Sequence, residues 1–251
     1  MDGLATFLNA ALLVSLRIVP ALAFAPPFTL LRIPPLVRVM IAVSFAAWIV
    51  VAFPGQTTNV LRSQPDVVGS ALAELLVGIA LALALQLAFA AILTVGRLVD
   101  LQAGFAFAML ADPTNRSQMP LIGVIFAYCA GALFFLSDGP ASLLAIWATS
   151  VEHVPLGAGL NPDALGNLLS FIGIIFTMAL GAGGLMLLIL FLIDLAIAFM
   201  SRTLPQMNVL FLGFQVKTIA TLILLPLTLT AAASLLLRMT QYALSTMLEL
   251  V

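Results

Sequence analysis

Nine basic and ten acidic side chains serve a chain of 251 residues, and four of them, Arg97, Asp100, Asp112 and Arg116, fall within residues 96–120. Carboxylates and guanidinium groups in so apolar a chain can relay protons, hold a coupling ion or neutralise one another. Arg97 and Asp100 are spaced i, i+3, and Asp112 and Arg116 i, i+4, so each pair self-neutralises if locally helical. Asp112 precedes Pro113, which disfavours helix at Asp112 and makes a turn or cap more natural. Glu74 and Gln86 lie inside one apolar run and Asp194 ends another, and each needs a partner or water. For bond-making chemistry the residues offer almost nothing. The one histidine, His153, sits beside Glu152 and reads as a solvated loop residue. The one cysteine, Cys129, lies in an apolar run and reads as a small buried hydrophobe. A lone histidine with no clustered Cys or carboxylates makes no zinc site. HExxH, GxSxG and the GxxxxGKS-type phosphate loop are all absent. The sequence therefore reads as non-enzymatic, with no metal and no cofactor.

The elements that position these residues are membrane-like. Hydrophobic residues make up 63% of the chain and charged ones 8%, with a mean hydropathy of +1.24. Soluble proteins carry about 25% charged residues, so an integral membrane protein is indicated. The net charge of −1 leaves no electrostatic footprint for nucleic acid. The N-terminal stretch carries Asp2 where a cleaved signal has a basic region, so it reads as the first mature helix.

The expected fold is all-α and polytopic, with about six apolar segments over residues 3–31, 39–53, 67–95, 121–136, 164–193 and 218–237. A span needs about 20 apolar residues; two of these runs are short and three are long, which predicts kinks and hairpins that enter a bundle without crossing it. Pro20, Pro26 and Pro27 are expected to break the first run, and the glycines of 181–184 to bend the fifth. Arg32 and Arg38, Arg97 and Arg116, then Arg202 and Lys217 fall in every second connection, which places those connections inside and both termini outside. Ala and Gly recur three or four residues apart from Ala73 and from Met178, a spacing that lets helix backbones approach closely. Residues 96–120 carry Gly104 at one end and Pro113 and Pro120 at the other. They read as irregular backbone lining or blocking a cavity, the setting in which such backbone is tolerated at membrane depth.

Three blocks give the chain a likeness over nearly its whole length. The first is Arg17, Pro20, Ala25-Pro26-Pro27-Phe28, Pro34 and Arg38. The second is Gly96, Asp100, Gln102, Gly104-Phe105, Asp112-Pro113, Gln118 and Pro120, followed by Leu133-Phe134 and Asp138-Gly139. The third is Asp194, Arg202, Pro205-Gln206-Met207-Asn208, Gly213-Phe214 and Lys217. In order and spacing these resemble FliR, a subunit of the flagellar type III protein export gate. Pro140 stands where the family often has histidine, and Gln215 where it often has proline; neither touches the central loop.

The resemblance implies a single FliR-like domain over residues 1–251, its N-terminal part FliP-like and its C-terminal part FliQ-like. It implies a helical assembly with FliP-like and FliQ-like subunits, FlhB-like and FlhA-like neighbours, and unfolded export substrates as cargo. The place implied is the bacterial inner membrane at the flagellar basal body, with helices raised out of the lipid plane towards the periplasm on assembly. Residues 105–119 then correspond to a channel plug built from Phe105, Phe107, Met109, Leu110, Asp112, Pro113, Arg116 and Met119. Large or adaptable apolar side chains of this kind can block ions by dewetting. Arg17, Arg38, Gly96, Asp100, Gln102, Gly104, Asp194, Arg202, Pro205, Gln206 and Lys217 are carried over as structural and assembly residues. The homologous subunit of a virulence injectisome is the near alternative. A small-molecule secondary transporter using Glu74, Asp100 and Asp194 is the distant one, opposed by the lack of a second copy of the 96–120 pattern.

Overall fold

A computed structural model describes residues 2–59, 67–105, 120–160, 162–203 and 209–250. Among them the chain is helical and contains no strand, as the apolar patterning predicts. Among the described residues the long helices are, in order, α1 (Asp2–Phe24), α2 (Pro35–Ala52), α3 (Val67–Ala103), α4 (Leu121–Leu136), α5 (Gly139–His153), α6 (Ala164–Thr203) and α7 (Val209–Glu249). Five of them, α1, α2, α3, α6 and α7, are long and apolar enough to cross a membrane. The α4–α5 pair, broken at Ser137–Asp138 and bent by 72°, would make a sixth if taken as one span.

Several local expectations are corrected. Pro26 and Pro27 lie just past the end of α1, but Pro20 is inside it. A proline within a helix leaves the carbonyl four residues back without its donor, here that of Leu16. That oxygen faces Gly78 of α3, where a Cβ would come within 2.6 Å of it. The glycines of 181–184 lie inside α6, which runs unbroken through 40 residues, and Gly183 admits the side chain of Val95. The acidic connection 138–163 contains a full helix, α5, whose buried Leu143, Ile146, Trp147, Ser150 and Val151 repeat at helical spacing. His153 is the last residue of that helix and is exposed.

By its internal packing the chain divides into two units. The first comprises Met1–Ala88, Phe134–Ile174 and Thr240–Val251. Here α1 packs along α2 and against α3, with Ala10, Val14, Ile18 and Ala21 fully buried on one stripe of α1. Phe28 meets Phe134 and Phe135 edge to face, and Phe171 of α6 stacks on Tyr242 of α7. The second unit comprises Phe89–Leu133 and Ile175–Met239. Its tightest crossing joins α3 to α4, where Gly96 lies against the backbone of Gly123 so closely that a Cβ on Gly96 has no room. Small residues serve membrane proteins in this way, because apolar side chains gain nothing by leaving lipid for one another and close backbone packing must hold the helices.

Gly96→Ala is therefore expected to lower the unfolding midpoint of the detergent-solubilised protein, overpacking a site being worth about 1–3 kcal/mol. Gly166→Ala meets open space in α6, and should be neutral or raise the midpoint, since Ala exceeds Gly in a helix by about 1 kcal/mol. Equal responses at the two positions would show that the α3–α4 contact is not tight.

Candidate functional site

Three of the charged residues on apolar helices, Arg17, Arg38 and Asp100, reach the ends of other helices. Arg17 of α1 and Glu74 of α3, separated by 57 positions, form a fully buried pair. Arg17 Nε donates to Glu74 Oε2 at 2.7 Å and Nη2 donates to Oε1 at 2.9 Å, the two-pronged match of guanidinium to carboxylate. The remaining N–H groups of Arg17 reach the end of α5. Nη1 donates to Ser150 O at 2.8 Å and to Ser150 Oγ at 3.3 Å, and Nη2 donates to Val154 O at 3.0 Å. A cation at a helix C-terminus meets the negative end of the helix dipole and its unpaired carbonyls. Glu74 is satisfied on its other side by Gly157 N, which donates to Oε1 at 3.0 Å. Gly157 has φ +83°, a conformation that glycine adopts without strain.

Arg38 works in the same way on α1. Its Nη1 donates to Ala23 O, in the last turn of α1, at 2.6 Å, and its Nε donates to Ile33 O at 3.1 Å. Thus both family-matched arginines of the first block close helix ends within the first unit.

Asp100 does the opposite job in the second unit. Both its carboxylate oxygens accept from Ile122 N, at 3.1 and 3.2 Å, in the first turn of α4. Pro120 precedes that helix and has no side-chain acceptor to cap it, so the acceptor comes from α3. The i, i+3 pairing of Asp100 with Arg97 does not form, and the Arg97 side chain is exposed. The helix dipole and a free N–H outbid a solvated ion pair, which is worth little. Four residues on, α3 ends in a Schellman cap: Gly104 has φ +87°, Gly104 N donates to Leu101 O at 3.2 Å, and Phe105 N to Asp100 O at 3.0 Å. Asp100, Gly96 and Gly104 thus fix the end of α3, the start of α4 and the distance between them.

Of the expected plug residues, Phe105 is half-buried at the close of this cap. Phe107, Met109, Leu110, Asp112, Pro113, Arg116 and Met119 lie outside the described residues, as do Pro205 and Gln206. Gln102 is half-buried on the last turn of α3. Asp194 of α6 and Lys217 of α7 form an ion pair, a pairing that the spacing of the two residues does not announce. Arg202 is exposed in the last turn of α6. Glu74, Asp100 and Asp194 each have a separate partner and share no site. Among the described residues no cluster of His, Cys, Asp and Glu is placed to hold a metal ion.

Sequence reasoning missed Ser150, Val154 and Gly157, two of which contribute only backbone atoms. It also missed that Gly78, four residues after Glu74, lets α1 approach closely enough for the Arg17 pair to form; the i, i+4 spacing of Glu74 and Gly78 on one helix face was the available signal.

Residues 8–243 match the family of bacterial export proteins, family 1. The chain is 28% identical over 231 residues to the flagellar biosynthetic protein FliR of Escherichia coli (strain K12), covering 92% of this chain and 84% of that protein. It is 31% identical over 230 residues to FliR of Aquifex aeolicus (strain VF5), covering 89% and 86%. To the surface presentation of antigens protein SpaR of Shigella flexneri it is 25% identical over 146 residues, 58% of this chain and 57% of that protein.

Arg17→Met is expected to destabilise the protein by about 3–5 kcal/mol, because it strands Glu74 as a buried charge. Arg17→Met combined with Glu74→Leu should recover most of that loss, which denaturation in mild detergent can measure. A double variant as unstable as the single would show that the arginine acts through α5 and not through Glu74.

Proposed function

Because the chain belongs to the bacterial export proteins of family 1, the FliR family, we propose that it is a non-enzymatic subunit of the flagellar type III protein export gate. In this reading it joins FliP-like and FliQ-like subunits at the bacterial inner membrane, with an N-terminal part like the former and a C-terminal part like the latter. FlhB-like and FlhA-like components are its neighbours, and the cargo is unfolded polypeptide. The observation that carries the reading is the match over residues 8–243, which takes in all three sequence blocks. Identity and coverage together lean to the flagellar branch: FliR of Escherichia coli is 28% identical over 92% of the chain, SpaR 25% over 58%.

Helix lengths support an assembly that extends beyond lipid. α3, α6 and α7 have 37, 40 and 41 residues, so at 1.5 Å per residue they are roughly 55–60 Å long. The hydrocarbon core is about 30 Å thick, so apolar helix remains on at least one side of it, where only protein can cover it. Gln86 supports protein contact along α3. It is exposed midway through an uncharged stretch of the helix, and an amide there finds no hydrogen-bonding partner in lipid.

The segment 105–119 then serves as the plug. α3 and α4 are locked at its base by Gly96–Gly123 and Asp100–Ile122, so opening moves the segment and not its supports. Asp112 and Arg116 hold the closed form, and the Phe and Met side chains exclude water and ions.

A tag on this chain alone should recover, from native membranes in mild detergent, a large complex with one copy of it and several FliP-like and FliQ-like copies. Native mass spectrometry reads the composition, and a monomer or homodimer overturns the gate reading. Deleting 107–116 should leave that complex intact yet make cells leak ions; complexes that stay tight after the deletion overturn the plug.

A further inference from the structure

Where α4 turns into α5, the first unit holds a cleft of about 220 Å³ between that bend and the C-terminal part of α7. Its polar lining includes Ser137, Asp138, Ser142 and Gln241, and Phe134, Leu136 and Leu244 form apolar walls. The cleft is built on fixed parts. Gly139 starts α5 so near the end of α4 that a Cβ there would come within 2.6 Å of Phe134 O. The Phe134 ring is held edge to face by Phe28 and Phe135, with centroids 6.2 and 5.4 Å away. A lining already fixed by packing loses little freedom on binding.

The hydrogen-bonding groups of the cleft are rich in acceptors. Ser137 Oγ donates to Phe134 O at 3.1 Å, so its proton is committed and its lone pairs remain. Asp138 precedes α5 yet makes no side-chain bond to cap it, which leaves both carboxylate oxygens for the cleft. Pro140 in the first turn of α5 has no N–H, so the helix start offers one donor fewer to an anion. Ser142 and Gln241 have no hydrogen-bond partner among the described residues, and each carries an oxygen that accepts.

A negative, acceptor-rich lining takes a cation that donates. The apolar walls narrow the class further. A bare metal ion gains nothing from Phe134, Leu136 and Leu244, whereas a basic side chain lays its methylene stem along them and keeps its head among the oxygens. Leu136 is 86% exposed, more than any other large apolar side chain among the described residues. A polar pocket beside so uncovered an apolar residue has the composition of a protein contact.

We propose that the cleft receives the ammonium or guanidinium end of a lysine or arginine from a neighbouring polypeptide. Asp138 is its counter-charge, and Leu136 is covered in the same contact. The neighbour need not belong to an export gate, and a free amine or a metal cation meets only the charged half of the cleft.

The test uses the full chain on a Cys129→Ala background, with Ser142→Cys as a reporter in the cleft and Gln241→Cys as a second reporter position. Modification by a trimethylammonium methanethiosulfonate is compared with modification by a sulfonate one, each rate divided by its rate on a free thiol. In the detergent-solubilised chain the cationic reagent should react about tenfold faster, since one carboxylate attracts the first and repels the second. Asp138→Asn should remove that difference. In native membranes both reagents should lose most of their reaction, and Asp138→Lys should restore it by repelling the basic side chain of the neighbour. Equal rates in the solubilised chain overturn the cation site. A charge preference with full reaction in native membranes assigns the cleft to small free cations, and protection that survives Asp138→Lys assigns it to apolar cover. Either result overturns the basic side chain.

Discussion

The Arg17–Glu74 pair is the contact on which the first unit depends. Two charges taken out of water are stable only if attraction and hydrogen bonding together replace their hydration, and here every N–H of the guanidinium has an acceptor. Satisfying it requires α1, α3 and the end of α5 to be present together, so none can leave without stranding a charge. Gly78 belongs to the same crossing. It lets the backbone at Leu16 and Arg17 settle against α3, and Pro20 has already released the Leu16 carbonyl from the α1 ladder. A proline that might have broken α1 instead supplies an acceptor facing the neighbouring helix.

The same economy recurs at three charges carried on apolar helices. Arg17 meets the carbonyl end of α5, Arg38 that of α1, and Asp100 the amide end of α4. Each charge has the sign that the helix dipole at that terminus prefers. In water such caps compete with solvent and contribute modestly. Where solvent is scarce, a helix end without a partner costs far more, and a chain with so few charges has reason to station them there. Asp100 shows the preference directly, since it turns from nearby Arg97 to the start of α4.

How far the sequence could be read follows from what kind of signal each feature leaves. The all-α membrane class and α4 (Leu121–Leu136) were legible because they rest on composition and on length of apolar run. The end of α1 near Pro26 and Pro27 was legible because proline punctuates locally. The α5 helix was obscured by Asp138, Glu152 and Asp163, which drew attention to charge; its Leu143, Ile146, Trp147 and Val151 repeat was present but short. Glu74 was recognised as needing a partner, yet Arg17, Ser150 and Val154 could not be named, because they lie far along the chain and two of the contacts are to backbone carbonyls, which carry no residue code. Gly96 stood out as a residue, but its contact with Gly123 is a fact of helix crossing that no spacing within either helix encodes. The Lys217–Asp194 pair was hidden for the same reason.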